Sequence, residues 1–318
     1  MATSAPAPSC CDLLTTSQVV EPRLAASGSL LLSLPLGTYA MAAAPSLTWG
    51  GTALWRKAEL HVTLLATEAA NTCRDAGVDV VGLARRFQWR ISRPGDGALL
   101  AEDDGEQRRS LVEWIKLPDF DVFRERVATA AGTRLPGTLP HITQYASTPR
   151  GIGLPDMATI TRLRKADLRL PGIGERPPPR RPLVELRKDY QDGCTLLPPD
   201  LALQLGEHGQ AVDAWLDHND ARSATILSAA DPFGQQAHAG GNRLRHALLQ
   251  SVLEREGIRA LTVPGREDDD TRFDATWCLL DVEPARLDAL LRAWEQFAAI
   301  RVTHGQPVEL VAHPGLRD

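Results

Sequence analysis

The stretch LPHITQYAS at residues 139–147 decides how the first half of this chain folds, because it has a counterpart, ELHVTLL, at residues 59–65. Both stretches contain His-x-Thr inside an apolar run. Residues two positions apart in a β-strand place their side chains on the same face. Each stretch is therefore predicted to be a strand that presents one imidazole and one hydroxyl to a common side.

His61 and Thr63 share one face of the first predicted strand, about 7 Å apart by the strand rise. His141, Thr143 and Tyr145 share one face of the second predicted strand by the same alternation. If the two strands lie side by side, the two faces form one site with approximate twofold symmetry.

The paired motifs resemble those of the 2H phosphoesterase superfamily, which includes the 2′-5′ RNA ligase-like proteins and the cyclic phosphodiesterases. The resemblance covers about residues 30–170 and depends mainly on the two short motifs. It implies a bilobal α+β domain, with 2′,3′-cyclic phosphates, 2′-5′ linkages or RNA ends as substrates. The alternative is that two unrelated strands each carry a histidine at the edge of the core.

The resemblance implies a metal-independent phosphoesterase. His61 and His141 are the expected general acid and base, since histidine titrates near neutral pH, although their order is not determined. Thr63 and Thr143 are expected to donate hydrogen bonds to the non-bridging phosphate oxygens. Tyr145 is expected to stack on a base or to contact the phosphate.

We predict no metal and no cofactor, because neither motif has the second nearby His, Cys or carboxylate that a zinc or iron site normally uses. A metal site is the alternative. A sensor that binds RNA ends or nucleotides without turnover is a further alternative, using the same histidines and threonines. In a third alternative, the C-terminal domain carries the main activity and the N-terminal domain recruits it.

Composition indicates a globular protein of two domains. The chain has 318 residues, of which 43% are hydrophobic and 24% charged. A net charge of −5 provides no bulk attraction for nucleic acid. Five scattered cysteines favour the reducing cytoplasm. The apolar stretch at residues 30–45 is too short to cross a bilayer and is interpreted as a buried strand and turn, with a signal peptide as the alternative.

We divide the chain into a mobile tail at residues 1–27, a 2H phosphoesterase-like domain at 28–171, a linker at 172–186 and a C-terminal domain at 187–318. The linker is rich in proline and arginine, which predicts extended polyproline structure. It is interpreted as a solvated spacer or as a basic lip that attracts phosphate to the site. The oligomeric state is not determined by the sequence.

Three further elements are predicted in the first domain from residue pattern. Residues 78–93 alternate well enough for a strand. Residues 94–109 are polar and are expected to form a turn or exposed loop. Residues 119–131 have apolar side chains at helical spacing and predict an amphipathic helix.

The C-terminal domain is predicted to be α+β with a split βαβ layout. Strands are expected near residues 223–229, 258–263 and 276–282, and residues 201–205 are expected to form a short helix. The segment resembles the domain of unknown function 3293 family through SAADPFGQ at residues 228–235. That family supplies no activity to transfer.

Overall fold

The computed structural model describes residues 20–34, 45–102, 107–149, 151–172, 176–192, 195–263, 267–268, 272–273 and 275–317. It has the predicted α+β class, with helices and antiparallel sheets. The chain divides into two compact units, one ending at Gly174 and the other beginning at Glu175. The predicted tail up to residue 19 and the predicted turn at residues 35–44 lie outside the described residues.

The first unit contains one large antiparallel sheet. Its strands are β1 (Pro22–Leu24), β2 (Leu30–Leu34), β3 (Ser46–Trp49), β4 (Thr52–Arg56), β5 (Leu60–Leu65), β6 (Asp96–Ala101), β7 (Arg109–Trp114), β8 (His141–Ala146) and β9 (Arg164–Arg169). The order across the sheet is β1-β2-β5-β8-β7-β6-β9. Strands β3 and β4 form a hairpin, and β4 pairs with β8 beyond the end of β5.

Helices cover both faces of this sheet. They are α1 (Thr67–Asp75), α2 (Val80–Ala84), α3 (Phe120–Ala131) and α4 (Met157–Leu163). The first three pack on one face, where Phe123 and Val127 of α3 join Leu60 and Val62 of β5 in a single core. Because burying such a side chain stabilises the fold by about 1.5–3 kcal/mol, this core fixes which side of β5 faces the helices. The opposite face is covered by α4 over β6 and β7.

Two predicted elements in this unit are wrong. Residues 80–84 form a helix instead of a strand, with the carboxylate of Asp79 accepting a hydrogen bond from the Gly82 N–H. Valine is typical of strands, but the apolar side chains of this segment pack against the core from a short helix. Residues 96–101 form β6 between β7 and β9, where Ala98 and Leu99 on its two faces are both fully buried. Full burial removes the alternation that would have marked the strand.

Two predicted boundaries also need correction. Residues 22–24, assigned to the mobile tail, form the edge strand β1, and Pro22 is tolerated there as the first residue of an edge strand. Residues 183–186, assigned to the linker, begin helix α5 (Leu183–Asp192), in which Leu186 is buried. The pairing of β1 with β2 and the burial of Leu186 account for these two corrections.

After α5, the second unit contains β10 (Thr195–Leu197), β11 (Leu201–Leu203), α6 (Gln210–His218), β12 (Ser223–Ser228), α7 (Ala239–Arg255), β13 (Ala260–Val263), β14 (Glu267–Asp268), β15 (Arg272–Phe273), β16 (Thr276–Leu280), α8 (Pro284–Ala293), β17 (Ala298–Thr303) and β18 (Glu309–Ala312). Five of these strands form an antiparallel sheet with the order β13-β16-β12-β17-β18.

Helices α7 and α8 each connect two parallel strands that are separated by one antiparallel strand, which is the split βαβ arrangement. The helix predicted at residues 201–205 is wrong. Leu201 and Leu203 lie in β11, which pairs with β10, and both pack against the core from alternate positions. In the described part of the chain, no helix is long and apolar enough to cross a membrane.

Candidate active site

The sheet places the two motif strands next to each other. Strands β5 and β8 are antiparallel neighbours, with Val62 of β5 directly opposite Ile142 of β8. Both side chains are fully buried in the core beneath α1, α2 and α3. Since neighbouring residues of a strand point to opposite faces, the motif residues on either side of Val62 and Ile142 face away from this core.

The same register brings the two motifs together on that other face. His61 lies opposite Thr143, and Thr63 lies opposite His141, as the antiparallel pairing of Val62 with Ile142 requires. Directly opposite residues have Cβ atoms about 4.5–5.5 Å apart, and diagonal neighbours are roughly 7–8 Å apart. The two histidines are diagonal neighbours, and all four side chains are partly exposed. The geometry thus provides two imidazoles and two hydroxyls around one small area of the sheet.

Tyr145 does not share this face, so the prediction that placed it beside His141 is wrong. Thr143 lies opposite Val112 of β7, whereas Tyr145 lies opposite Leu111, the neighbouring residue. Val112 and Leu111 point to opposite faces, and so do their partners. The cause is a β-bulge at Gln144, which inserts one extra residue into β8 and reverses the alternation. Tyr145 is fully buried.

Buried polar contacts hold this bulge in place. Gln144 donates a side-chain hydrogen bond to the Glu113 carboxylate at 2.6 Å, and both side chains are fully buried. Arg93 binds the same carboxylate through two hydrogen bonds of 2.7 and 2.8 Å. A carboxylate that accepts a bidentate arginine and an amide is geometrically well fixed. The bulge therefore has a defined geometry on the face behind the site.

His141 is oriented by contacts on two sides. Its Nδ1 donates a hydrogen bond of 2.9 Å to the backbone carbonyl of Leu139, which makes Nε2 the nitrogen that can exchange a proton with a ligand. The ring of Trp114, its partner across β7 and β8, packs against it with centroids 6.1 Å apart and planes at 72°. This edge-on contact limits rotation of the imidazole.

His61 has a more open and more charged surrounding. Ser33 of β2 lies opposite it, and the Ser33 hydroxyl donates to the Glu59 carboxylate at 3.1 Å. Glu59 also forms an exposed ion pair with Arg23. The ammonium of Lys57 donates to the backbone carbonyl of Pro149. Among the described residues, Nδ1 of His61 is buried without a hydrogen-bond partner, so Nε2 is its available nitrogen.

Burial lowers the pKa of both histidines below the usual histidine range. For His61 the positive charges of Lys57 and Arg23 lower the pKa further, while Glu59 opposes them. For His141 the hydrogen bond to the Leu139 carbonyl raises the pKa against the larger effect of burial, and the nearby His61 lowers the pKa further. His61 is thus close enough to His141 to affect its pKa.

A pocket of about 320 Å³ opens beside His141 and Thr63. It lies between helix α1, the end of α3 and the loop at residues 133–139. Arg124 of α3 lines it and donates to the carbonyls of Leu64 and Pro136, which ties that loop to β5. Prediction from the sequence missed this pocket, because the loop forms one of its walls only through these tertiary contacts.

The segment after β8 passes over the other side of the site. Its backbone approaches closely at Gly151, where a Cβ would lie 3.7 Å from Thr143 and 3.5 Å from Ala146. The Ile152 N–H donates to the Ser110 hydroxyl at 3.2 Å. Gly151 has a φ of +66°, so the backbone angle favours glycine at this position, although a Cβ there would make only ordinary van der Waals contacts.

An exposed tryptophan that sequence analysis missed lies on the same face. Trp55 of β4 pairs with Ala146, Ala146 pairs with Ser110 of β7, and Ser110 shares a face with Val112, the partner of Thr143. The side chain of Trp55 is 59% exposed. Its exposure on the histidine face makes it available for contact with a ligand beyond the four motif residues.

Polar residues near the start of α7 stabilise a turn in the second unit. Asp231 has a left-handed backbone, and its N–H donates to Asn242 at 3.0 Å, while the Asn242 amide donates back at 2.8 Å. Arg245 is buried and donates to the carbonyls of Ala229 and Trp294. These hydrogen bonds join residues of the second unit to one another, which is typical of a turn followed by the start of a helix.

Within the described residues no group of three His, Cys, Asp or Glu side chains is placed to hold a metal ion. Comparison with known proteins gives no match to a protein-family model, to a curated protein or to a solved structure. The geometry of β5 and β8 is therefore the basis for a functional proposal.

Proposed function

We propose that this protein is a metal-independent phosphoesterase of the 2H phosphoesterase type. Its substrates are 2′,3′-cyclic phosphates or 2′-5′ linked phosphodiesters, in RNA ends or nucleotides. His61 and His141 act together as the general acid–base pair, and Thr63 and Thr143 donate hydrogen bonds to the non-bridging oxygens. No cofactor takes part.

The observation that carries this proposal is the antiparallel pairing of Val62 with Ile142. A phosphate above this pair would have an imidazole on each of two sides, and in-line displacement needs an acid and a base on opposite sides of phosphorus. Acid–base catalysis by positioned side chains contributes about 10²–10⁴-fold to a rate. The partial exposure of all four motif side chains leaves them accessible to a substrate.

The two threonines are placed to donate hydrogen bonds to the phosphate, a role that differs from the acid–base role of the histidines. Thr143 lies opposite His61 and Thr63 opposite His141, so each hydroxyl is beside the imidazole of the other motif. A hydroxyl group can donate to a phosphate oxygen and stabilise charge that grows in the transition state. The two donors would also hold phosphorus in line between the imidazoles.

A reducing compartment such as the cytoplasm is part of the proposal. Cys73 and Cys278 are both buried and free of disulfides. Burial raises the pKa of both thiols, to about 12 for Cys278, so they behave as apolar core side chains rather than as reactive groups.

The test is turnover of adenosine 2′,3′-cyclic phosphate by the purified protein in EDTA, with products identified by phosphorus NMR. We expect a phosphomonoester product, and a loss of about 10²–10⁴-fold for both His61→Ala and His141→Ala. His218→Ala is the matched control, because His218 is an exposed residue at the end of α6 in the second unit.

Full activity in either motif variant would contradict the paired-histidine mechanism. Activity that EDTA abolishes and added metal restores would indicate a metal-dependent reaction instead. Tight binding of the cyclic nucleotide without turnover would identify the site as a nucleotide-binding module.

A further inference from the structure

The sequence RPPPRRP at residues 176–182, here called the strap, lies at the start of the second unit and is in neither a helix nor a strand. Each proline ring holds φ at about −65°, and a residue that precedes proline is restricted to the extended region. A segment with this composition forms a left-handed polyproline helix with little conformational freedom. The strap is therefore rigid without pairing with a sheet.

One edge of the strap contacts the rest of the second unit. The side chains of Arg176, Pro178 and Arg181 are partly buried, whereas the other four strap residues are exposed. A polyproline helix has three residues per turn, so Pro178 and Arg181 lie one turn apart on the same edge. The strap thus presents two arginines and one proline to the unit and its remaining residues to solvent.

Arg176 binds a buried carboxylate. It donates two hydrogen bonds of 2.7 and 3.1 Å to Glu295, which lies 119 residues further along the chain. The Glu295 side chain is only 4% exposed. Two parallel hydrogen bonds of this kind distinguish arginine from lysine. Glu295 also has a left-handed backbone with a φ of +52°, and such strained residues are common at ligand clamps.

The other two contacts of the strap are apolar or aromatic. The guanidinium of Arg181 lies over the Phe297 ring at 5.4 Å, and the Phe297 ring packs against Phe233 at 5.3 Å. The ring of Pro178 approaches Gly315 so closely that a Cβ there would lie 3.1 Å from it. Protein modules that bind proline-rich peptides likewise use grooves lined with aromatic rings.

Glu295, Phe297 and Gly315 form what we call the strap-binding surface, and contacts within the fold hold it in shape. The N–H of Phe233 donates to the Glu295 carbonyl at 2.6 Å, and the N–H of His313 donates to the Phe297 carbonyl at 2.7 Å. The Gly315 N–H donates to Nδ1 of His313 at 3.0 Å. None of these hydrogen bonds involves the strap, so the surface is organised in advance for a ligand.

The strap is attached by contacts that can open locally. The side chains of Arg176 and Arg181 are 39% and 31% exposed, and Arg181 also pairs with the exposed Asp189 of α5. Proline has no N–H to donate, and the strap is part of no sheet in the described structure. Segments with partly exposed contacts open at a lower free energy than the core. The strap can therefore leave its surface while the unit stays folded.

We propose that the strap-binding surface is a recognition site for arginine-containing proline-rich segments, occupied by the strap as a displaceable ligand. The partner is a protein segment with the pattern Arg-x-Pro-x-x-Arg, as in Arg176, Pro178 and Arg181, in polyproline form. The strap of a second copy is not favoured, because each strap is joined directly to its own α5 and has an effective concentration of about millimolar. This inference does not depend on the function proposed for the first unit.

The experiment measures binding of a fluorescent peptide, RPPPARPL, which copies residues 176–183 with Arg180→Ala. The full chain is compared as wild type and as the double variant Arg176→Ser with Pro178→Ser, which loosens the strap and leaves the surface intact. Fluorescence polarisation should show at least about tenfold tighter binding to the double variant, because the tethered strap no longer competes. Adding Glu295→Gln should weaken that binding by about tenfold or more. Arg180→Ser, at an exposed strap position, is the matched control and should bind like wild type.

Trypsin provides a second measurement on the unaltered protein. Trypsin does not cleave before proline, so the bond between Arg180 and Arg181 is the susceptible one within the strap. The peptide itself resists trypsin, because both of its arginines precede proline. Excess peptide should displace the strap and accelerate cleavage after Arg180, as followed by mass spectrometry. The same peptide with Arg176→Ser should have no such effect.

Three results would overturn the proposal. The first is the absence of peptide binding to the double variant together with unchanged cleavage after Arg180 in wild type. The second is binding that Glu295→Gln does not weaken. The third is a strap-exchanged dimer of wild type, detected by light scattering and lost in Glu295→Gln, which would identify a second copy as the occupant. If the double variant does not fold, the cleavage of wild type decides the outcome.

Discussion

Val62 of β5 and Ile142 of β8 are antiparallel partners, although 80 residues separate them along the chain. Both side chains are fully buried against the helices of the first unit. A slip of one residue in this pairing would move a buried apolar side chain to the surface and a motif residue into the core. The core thus fixes the relative positions of the two His-x-Thr motifs.

The pH dependence of turnover should be bell-shaped with its maximum on the acidic side. Burial lowers the pKa of both His61 and His141, so both lie below the ordinary histidine value of about 6.5. One histidine must be protonated and the other neutral, which places the maximum of kcat/KM between the two lowered values. A profile measured from pH 4 to 9 should peak below about pH 6.5. A maximum above neutral pH would contradict the assignment of these two groups.

Thr143 and Tyr145 should differ sharply in their importance for catalysis. Thr143→Val removes a hydroxyl beside His61 and should lower kcat/KM by about 10²-fold, the usual cost of losing one transition-state donor. Tyr145→Phe should leave kcat/KM within about twofold, because the bulge at Gln144 places Tyr145 on the other face of the sheet. Steady-state kinetics on both variants tests this. A large loss in Tyr145→Phe with unchanged stability would show that Tyr145 reaches the substrate.

Glu113→Gln should destabilise the first unit by about 3 kcal/mol or more, because it removes the charge that compensates the mostly buried Arg93. Gln144 would also lose a charged acceptor, and the bulge in β8 would loosen. Urea unfolding monitored by tryptophan fluorescence measures the change. Glu309→Gln, which alters an exposed carboxylate, is the control and should cost less than about 1 kcal/mol. Equal stability of the two variants would show that the buried contacts do not hold the bulge.

A substrate with a good leaving group should distinguish the acid from the base. A p-nitrophenyl phosphodiester leaves as a stable phenolate and does not need a proton. The variant that lacks the general acid should therefore lose at least about tenfold less activity on it than on a cyclic nucleotide, since general acid catalysis no longer contributes. The variant that lacks the general base should lose a similar factor on both substrates, because water must still be activated. Similar losses on the two substrates for both His61→Ala and His141→Ala would contradict the acid–base pair.

The motif strands could be predicted because their side chains alternate between an apolar core and a polar face. Leu60, Val62 and Leu64 interleave with His61 and Thr63, which is the pattern that identifies a half-buried strand. The amphipathic helix at Phe120–Ala131 has an equally clear period and ends at Gly132, which has a left-handed backbone. Local pattern is sufficient where one face of an element is buried and the other is not.

The elements that were missed are those whose burial is not one-sided. Strand β6 is buried on both faces, and the helix at Val80–Ala84 is a short apolar run that has no period of its own. The bulge at Gln144 depends on Glu113, a residue 31 positions earlier on the neighbouring strand. No local pattern marks such an irregularity, and so Tyr145 was placed on the wrong face. The pocket beside His141 was missed for the same reason, since Arg124 closes it through tertiary contacts.

The most direct test of the account is kcat/KM on adenosine 2′,3′-cyclic phosphate for wild type, His61→Ala, His141→Ala and the double variant. Residues that act together in one chemical step give non-additive losses. We predict that each single variant loses about 10²–10⁴-fold and that the double variant loses little more than the worse of the two. Losses that multiply in the double variant, or a single variant that keeps wild-type activity, would contradict a shared step at one phosphorus atom.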